Sequence, residues 1–204
     1  MSTVLVRLYR FFFEIVPTFI SCLRSGIKFD STWVVKGRIH VLRRKWYEKF
    51  FLKKKGGYIQ IGRYFKCNNK TDSNSIGLIQ PCVFNIESEG AEIIIGNNVG
   101  ISGSTINAST RIVIEDNVLI GSGCLITDTD SHPVDYQARL KNDNGKVKKA
   151  PIHICEGAFV GARTIILKGV TIGPHSIIGA GSVVTHDIPE NSIASGNPIM
   201  IKEG

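Results

Sequence analysis

A six-residue period in the C-terminal half restricts the folds open to this chain more than any other feature. Six consecutive hexads begin with Ile or Val, and Gly occupies the second or fourth position of the first five. This period fits neither an α-helix nor an alternating strand, but it suits a short strand followed by a turn. Three such sides make a triangular coil of about eighteen residues, and stacked coils bury a continuous aliphatic column. The hexads begin at residues 154, 160, 166, 172, 178 and 184.

The same period recurs earlier in the chain, one residue out of phase. The earlier hexads begin at residues 95, 101, 114, 120 and 126, so we expect an extra residue between Asn107 and Arg111. A β-sandwich with Gly-rich turns would space its strands by about 8–12 residues, and the strict hexads argue against it. We therefore predict an all-β fold, with a parallel β-helix solenoid of hexapeptide repeats over residues 57–204 and a helical, basic segment over residues 1–56.

The N-terminal segment combines positive charge with an apolar run. The net charge is +8, and much of it lies in residues 43–45 and 53–55. No zinc-finger or RNA-recognition motif accompanies these residues, so we expect no nucleic-acid partner. The apolar run is interrupted by Glu14 and Pro17 and is too short to span a bilayer. Residues 7–24 therefore either pack on protein or make a peripheral contact with a membrane surface.

The cysteines and histidines give no sign of a disulfide framework or a metal site. The chain has five cysteines, and none of them forms a C-x-x-C pair. This odd number fits reduced thiols in the cytoplasm. No two histidines have the spacing of metal ligands, so we expect no metal. Cys124 occupies the small fifth position of a hexad, where a core role is favoured over that of a nucleophile.

A polar stretch over residues 128–150 interrupts the hexads, and a solenoid can extrude such a loop at a corner. Loops of this kind often carry function. His132 is the candidate catalytic residue, because a neutral imidazole can take the proton of an attacking hydroxyl near pH 7. Asp128, Asp130 and Asp135 are all close enough in sequence to orient its ring. The sequence does not decide among the three, and we take Asp130 as the catalytic partner.

The hexads and the run Asp-Ser-His-Pro-Val-Asp-Tyr-Gln-Ala-Arg around His132 resemble the hexapeptide-repeat acyltransferase family, in its sugar and xenobiotic O-acetyltransferase branch. The resemblance is strong over residues 93–198 and weaker over residues 57–92. It implies a left-handed coil, His132 as the catalytic base and Asn107 near the acceptor. It also implies acetyl-coenzyme A as co-substrate and a homotrimer with its sites between subunits.

The resemblance further implies a set of cofactor-binding residues along the C-terminal coils. Small turn residues would let the pantetheine arm approach closely, and the nucleotide would lie near the end of the chain. The family often places Lys where His186 stands and Arg where Met200 stands, so the phosphates are left to Lys202 or to a basic residue of a neighbouring subunit. The predicted set is Gly161, Ala162, Gly179, Ala180, Thr185, His186 and Lys202.

The resemblance implies transfer of an acetyl group from acetyl-coenzyme A to a hydroxyl. A saccharide such as a capsule, O-antigen or exopolysaccharide unit is the favoured acceptor, and small thiogalactosides, maltose, serine and antibiotics are alternatives. The apolar, basic N-terminus would suit an enzyme at the inner face of the membrane. One alternative is an N-acetyltransferase acting on an amino-sugar nucleotide. Two others are a non-catalytic scaffold and a carbonic anhydrase-like β-helix, although the chain lacks the His-x4-His pairing of such a metal site.

Overall fold

The computed structural model describes residues 3–43 and 57–203. Successive strands go in rotation to three sheets, A, B and C, which form the sides of a stacked coil. Sheet A contains β1 (Val34–Lys36), β4 (Lys66–Asn68), β7 (Gly100–Ser102), β10 (Leu119–Ser122), β13 (Phe159–Val160), β16 (Ile177–Ile178), β18 (Ser192–Ser195) and β19 (Met200–Glu203). Sheet B contains β2 (His40–Arg43), β5 (Val83–Ile86), β8 (Thr105–Ala108), β11 (Leu125–Thr127), β14 (Ile165–Ile166) and β17 (Val183–Val184). Sheet C contains β3 (Tyr58–Ile61), β6 (Glu92–Ile95), β9 (Arg111–Ile114), β12 (Ile152–Ile154) and β15 (Thr171–Ile172).

The residues that begin the hexads form the core of the coil. In sheet A, Ile120 pairs with Val160 and Val160 pairs with Ile178, all in parallel register and all buried. Sheets B and C contain equivalent columns, and full burial of each Val or Ile side chain contributes about 1.5–3 kcal/mol. The predicted all-β, parallel β-helix is therefore confirmed. The only antiparallel pairing between named strands is that of β18 with β19, at the C-terminal end.

The coil begins earlier than residue 57, where we placed the domain boundary. Strand β1 pairs with β4 in sheet A, and β2 pairs with β5 in sheet B. The period is hard to read here because the strands of these first coils are separated by long non-repetitive stretches, such as residues 69–82. The basic run of residues 53–55, and most of the run of residues 43–45, lie outside the described residues.

The phase shift between the two blocks of hexads arises at two corners. Ile106 pairs with Ile126 in sheet B, and Ile114 pairs with Ile154 in sheet C. Compared with the later coils, the stretch from Ile101 to Ile106 is one residue shorter and the stretch from Ile106 to Ile114 is two residues longer. The expected extra residue is therefore the net result of one deletion and a two-residue extension.

The N-terminal segment is helical and covers one end of the coil. Helix α1 (Thr3–Arg10) continues through a π-helical turn, Phe11–Ile15, into α2 (Val16–Ser25). The N–H of Val16 bonds the carbonyl of Phe11, five residues earlier. Pro17 follows directly, at the start of α2, where its missing N–H is tolerated. A line of edge-to-face aromatic rings then leads into the core of the first coils, through Phe19, Phe29, Trp33, Phe65 and Phe84.

Two further features complete the described structure. The loop between β11 and β12 contains a short helix, α3 (Tyr136–Leu140), and a 3-10 turn over Asn144–Lys146; a second 3-10 turn covers Thr71–Ser73. Over residues 3–43 and 57–203, none of the helices combines the length and the apolar character needed to cross a bilayer.

Candidate functional site

The predicted loop leaves the coil at the corner between sheets B and C and has an ordered base. Thr129 and Lys149 form an antiparallel bridge, and the N–H of Ala150 bonds the Asp128 carbonyl at 3.0 Å. Farther out, the Asp135 carboxylate caps α3 by accepting the N–H of Ala138 at 2.8 Å. Backbone pairing and this cap therefore hold the loop in a defined position beside sheet B.

His132 lies near the base of this loop with its ring exposed. Its backbone N–H bonds the Asp130 carbonyl at 2.6 Å, across a turn in which Ser131 has a φ of 59°. Within the described part of the chain, the imidazole contacts no hydrogen-bonding side chain. Both ring nitrogens are therefore open to an incoming hydroxyl.

None of the three nearby carboxylates contacts the His132 ring. Asp130 pairs with Lys168 of the next coil at 2.5 Å. Asp128 is fully buried and accepts bonds from the backbone of the preceding coil. Asp135 is the helix cap. The catalytic pairing of Asp130 with His132 that we predicted is thus absent from this arrangement, because Lys168 holds the Asp130 carboxylate.

Next to the loop, a row of polar side chains runs across the outer face of sheet B. Asn85, Asn107 and Thr127 occupy equivalent register positions in β5, β8 and β11. Asn85 donates its amide N–H to Asn107 Oδ1 at 2.6 Å, and the Asn107 amide nitrogen donates to Glu87 Oε2 at 2.9 Å and Thr127 Oγ1 at 3.2 Å. Ser109 Oγ donates to the same Glu87 oxygen at 3.0 Å.

This polar row places the predicted residue Asn107 at the centre of a network and adds members that sequence reasoning missed. Thr127 donates onward to the carbonyl of Thr129 at 3.3 Å, at the base of the His132 loop. Lys149, on the returning arm of the loop, donates to Ser88 Oγ at 2.9 Å. The alternation of Asn85 and Glu87 with buried Phe84 and Ile86 was the available sequence signal. Hydroxyl, amide and carboxylate groups of this kind suit a ligand rich in hydroxyls.

A groove of about 540 Å³ lies at the opposite edge of sheet B, at its corner with sheet A. Ala162 and Ala180, two of the predicted cofactor residues, form part of its wall. Gly161 packs behind them: a Cβ there would lie 2.5 Å from the backbone nitrogen of Ala180. The role of Gly161 is therefore to let the coils stack. The groove is lined by Ile76, Gly77, Leu78, Ile79, Ser122, Ala162, Arg163, Ala180 and Gly181.

Of the remaining predicted cofactor residues, Gly179 directly precedes Ala180 at the same corner, and the other three lie elsewhere. Thr185 and His186 follow β17 at the corner of sheets B and C, one coil beyond Lys168, and contact each other at 3.2 Å. Lys202 lies in β19 opposite Ile193, and Gly179 faces the Ser195 side chain. A single chain does not bring the seven residues into one groove, because the corners of a triangular coil point in different directions.

In the described part of the chain, one group could place three metal-ligand atoms within 4.8 Å of one another: Glu115, His153 and Cys155 on sheet C. Glu115 Oε1 lies 2.7 Å from His153 Nε2, and Oε2 accepts the N–H of Glu156 at 2.8 Å. Burial, and secondly the negative charge of Glu115, raise the pKa of the Cys155 thiol. The group is therefore an imidazole–carboxylate pair beside a protonated thiol.

Comparisons with known proteins identify the repeats. Residues 151–186 match the family model described as bacterial transferase hexapeptide (six repeats), and residues 111–127 match the hexapeptide repeat of succinyl-transferase. Galactoside O-acetyltransferase of Escherichia coli (strain K12) is 40% identical over 115 residues, which are 56% of this chain and 55% of that protein. The chain thus spans about half the length of the curated relatives it matches.

Solved structures agree with these matches. A hexapeptide-repeat-containing acetyltransferase from Vibrio cholerae is 32% identical with a TM-score of 0.52, and the match covers 59% of this chain and 68% of that chain. A structure of such an acetyltransferase from Vibrio cholerae O1 biovar eltor, complexed with acetyl coenzyme A, is 23% identical with a TM-score of 0.54 and covers 92% of this chain and 75% of that one. The likeness confirms the predicted β-helix, its left-handed coil included. The repeats, the coil and these identities together show that this chain belongs to the hexapeptide-repeat transferase family.

Proposed function

We propose that this protein transfers the acetyl group of acetyl-coenzyme A to a hydroxyl of a saccharide, with His132 as general base. The observation that carries the proposal is the unpaired, exposed imidazole of His132, held at the base of an ordered loop beside a row of hydroxyl, amide and carboxylate groups. The similarity to galactoside O-acetyltransferase supports the reaction class. The structure of an acetyltransferase complexed with acetyl coenzyme A supports the donor.

In this mechanism the His132 ring takes the proton of the acceptor hydroxyl while the hydroxyl oxygen attacks the thioester carbonyl. The donor supplies an activated acetyl group. The imidazolium then returns its proton to the departing thiolate, so protons balance without an acyl-enzyme. Asp130 acts as a positioning residue, because its pair with Lys168 ties the His132 loop to the next coil. Asn107, bonded on both sides, holds the polar row that would receive the saccharide.

The groove at the corner between sheets A and B, which we call the A–B groove, fits the pantetheine arm of the donor. Its walls combine the small side chains of Ala162 and Ala180 with the apolar segment of residues 76–79, and such a channel suits a long, thin, flexible chain. Arg163 lies on the same wall as an exposed cation that the sequence analysis did not select. Thr185, His186 and Lys202 remain candidates for the nucleotide end, and their separation from the groove is compatible with a site completed by a second subunit.

We propose a homotrimer as the working form. A row of exposed apolar side chains in strict register on the outer face of sheet A supports this proposal, since buried contact with another subunit would remove it from water. The five unpaired cysteines suit a reducing compartment, and we place the reaction in the cytoplasm. The members of the row are Leu119, Phe159, Ile177 and Ile193, each between 41% and 53% exposed.

The test follows free thiol release from acetyl-coenzyme A in the presence of a panel of sugars and amino sugars. We expect a hydroxylated sugar to stimulate release, and His132→Ala to lower kcat/KM by at least about a hundredfold. His175→Ala, which removes an exposed histidine at another corner, is the matched control and should retain the activity. Stimulation by amino sugars alone would replace this proposal with N-acetyl transfer. Absence of any turnover by the unmodified protein would refute acetyl transfer itself.

A further inference from the structure

The π-helical turn and α2 turn their polar side toward the protein. Glu14, Thr18 and Ser21 are all buried against the body of the molecule. Ser21 Oγ donates to the carbonyl of Ile39 at 2.8 Å, and the Glu14 carboxylate lies 3.4 Å from Arg10 and 3.7 Å from Lys70. These bonds fix the rotational orientation of the helices, so the polar side is not free to face solvent.

The opposite side of the same helices is apolar and exposed. Val4, Phe12, Phe13 and Leu23 are 59–69% exposed. A helix on the surface of a globular protein normally turns such residues inward. The π-helical turn lies in the middle of this side and presents three consecutive phenylalanines. The apolar side chains that carry this exposure are Val4, Leu5, Phe12, Phe13, Ile20 and Leu23. We call this set the N-terminal apolar face.

The exposed charges on residues 3–25 are all of one sign. Arg7, Arg10 and Arg24 are exposed, whereas the sole acidic residue of this stretch, Glu14, is buried and paired with Arg10, which leaves Arg7 and Arg24 without an acidic partner on these helices. A second copy of the chain placed against this face would bring arginines together with no exposed carboxylate on these helices to neutralise them. Anionic headgroups would neutralise them, because the negative surface potential of such a membrane attracts basic residues close to it.

We propose that the N-terminal apolar face docks on an anionic lipid bilayer, with α1 and α2 lying in the plane of the interface. None of the described helices can cross a bilayer. Instead, aromatic and aliphatic side chains enter the boundary between headgroups and acyl chains, and the arginines contact the headgroup phosphates. This inference is independent of the acetyl-transfer reaction, since it uses no residue of the loop, the polar row or the groove.

The test is co-sedimentation of the full-length protein with vesicles of phosphatidylcholine, either pure or containing phosphatidylglycerol. We expect binding to the anionic vesicles that weakens with added salt and is at least tenfold weaker on pure phosphatidylcholine. The variant Phe12→Gln/Phe13→Gln should lose at least tenfold in binding. Its matched control, Val134→Gln/Leu140→Gln, removes two similarly exposed apolar side chains elsewhere and should bind normally.

A second pair of variants separates specific charge from net charge. Arg7→Glu/Arg24→Glu should lose at least tenfold in binding, whereas Lys141→Glu/Lys146→Glu, with the same change in net charge, should lose much less. Equal losses from both pairs, or no binding to anionic vesicles, would overturn the proposal. So would a change in the light-scattering mass of the Phe12→Gln/Phe13→Gln variant, because the face would then be a contact between subunits. Thiol release with soluble sugars is measured separately and should be unchanged in that variant.

Discussion

Asp128 shows how a single buried carboxylate can set the shape of a corner. It accepts the backbone N–H groups of Ser109 and Thr110 at 2.6 and 2.7 Å, and also the Thr110 hydroxyl at 2.7 Å. The two-residue extension that shifts the phase of the hexads lies in this stretch. Asp128 therefore satisfies the backbone groups that the longer corner leaves without strand partners, and it does so directly before the His132 loop.

We expect Asp128→Asn to lower the free energy of unfolding by about 3 kcal/mol, because an amide offers one acceptor oxygen to three donors and presents its own N–H to one of them. Thermal or urea unfolding measures the loss. Thr110→Val, which removes only the hydroxyl donor, should cost about 1 kcal/mol. Equal costs for the two variants would mean that the backbone bonds to Asp128 contribute nothing.

On the surface, the Asp116 carboxylate makes a contribution to stability that depends on pH. The side chain of Asn97, and then its backbone N–H, donate to the Asp116 carboxylate and hold its pKa below the ordinary value of 3.8. Because the folded-state pKa is depressed, the stabilisation is present above the unfolded-state pKa and is lost as pH falls through the folded-state value. The bonds join two successive coils at the corner between sheets C and A.

Asn97→Ala removes the larger of these two contributions, so we expect the pKa of Asp116 to rise toward its ordinary value. An NMR titration of the side-chain carboxyl groups measures the pKa of Asp116 directly. The loss of stability on acidification should become shallower in the variant, because Asp116 then binds protons more nearly equally in the folded and unfolded states. Asn98→Ala, which leaves the Asp116 contacts intact, serves as control, and an unchanged Asp116 titration in Asn97→Ala would contradict the assignment.

At the scale of structural elements, the repeating feature is the corner between two sheets. Two glycines at the corner between sheets A and B have different roles there. Gly161 has the backbone of the next coil directly above it, with Ala180 N only 2.5 Å from where a Cβ would lie. Gly181 has open space around it but a φ of +72°, a conformation that other residues adopt at a cost. One glycine permits stacking, and the other permits the turn.

The same substitution should therefore have two outcomes. Gly181→Ala should lower the free energy of unfolding by about 1 kcal/mol, the cost of a left-handed alanine. Gly161→Ala should cost about 3 kcal/mol, because the clash is with the backbone of the neighbouring coil and the strands must move apart. Chemical denaturation of the two variants compares them directly. A cost for Gly161→Ala no larger than that for Gly181→Ala would show that the coils slide apart easily.

At the scale of the whole molecule, the exposed row on sheet A bears on assembly. Phe159 lies in the middle of this row, between Leu119 and Ile177. Four apolar side chains in strict register make a stripe on this face, and in the proposed homotrimer a carboxylate placed in the stripe would be buried among apolar groups. In that proposal the row connects the stacking of coils within a subunit to the packing of subunits.

We expect Phe159→Glu to dissociate the proposed trimer. Light scattering after size exclusion should report a mass near three times the 22.4 kDa chain for the unmodified protein and near one for the variant. Tyr136→Glu changes an exposed aromatic outside the row and should leave the mass unaltered. A trimer that survives Phe159→Glu would assign its interface to another surface.

The sequence predicted features that depend on residues close together in the chain. It did not predict contacts between residues of different coils. Hexad spacing alone predicted the buried columns and the extruded loop. The bond from Asn107 to Glu87 was out of reach, because its formation depends on the lengths of corners that break the period. The inverted orientation of α2 was equally hidden: the buried bonds of Glu14 and Ser21 reverse the usual rule that apolar residues face inward. His132 stays a prediction, and it was selected because its neighbours in sequence, rather than in space, carry the resemblance.

Because the coils stack in register, two residues at equivalent positions are separated along the coil axis by a whole number of coil spacings. Neighbouring parallel strands lie about 4.8 Å apart, so Lys168 and His186, or Ala162 and Ala180, are separated by one such step. An inserted turn of about eighteen residues would raise everything beyond it by one step and leave each corner chemically unchanged. The distance between two corner residues that a long ligand contacts therefore changes only in steps of one coil. This holds whether the inserted coils arise by evolution or by design.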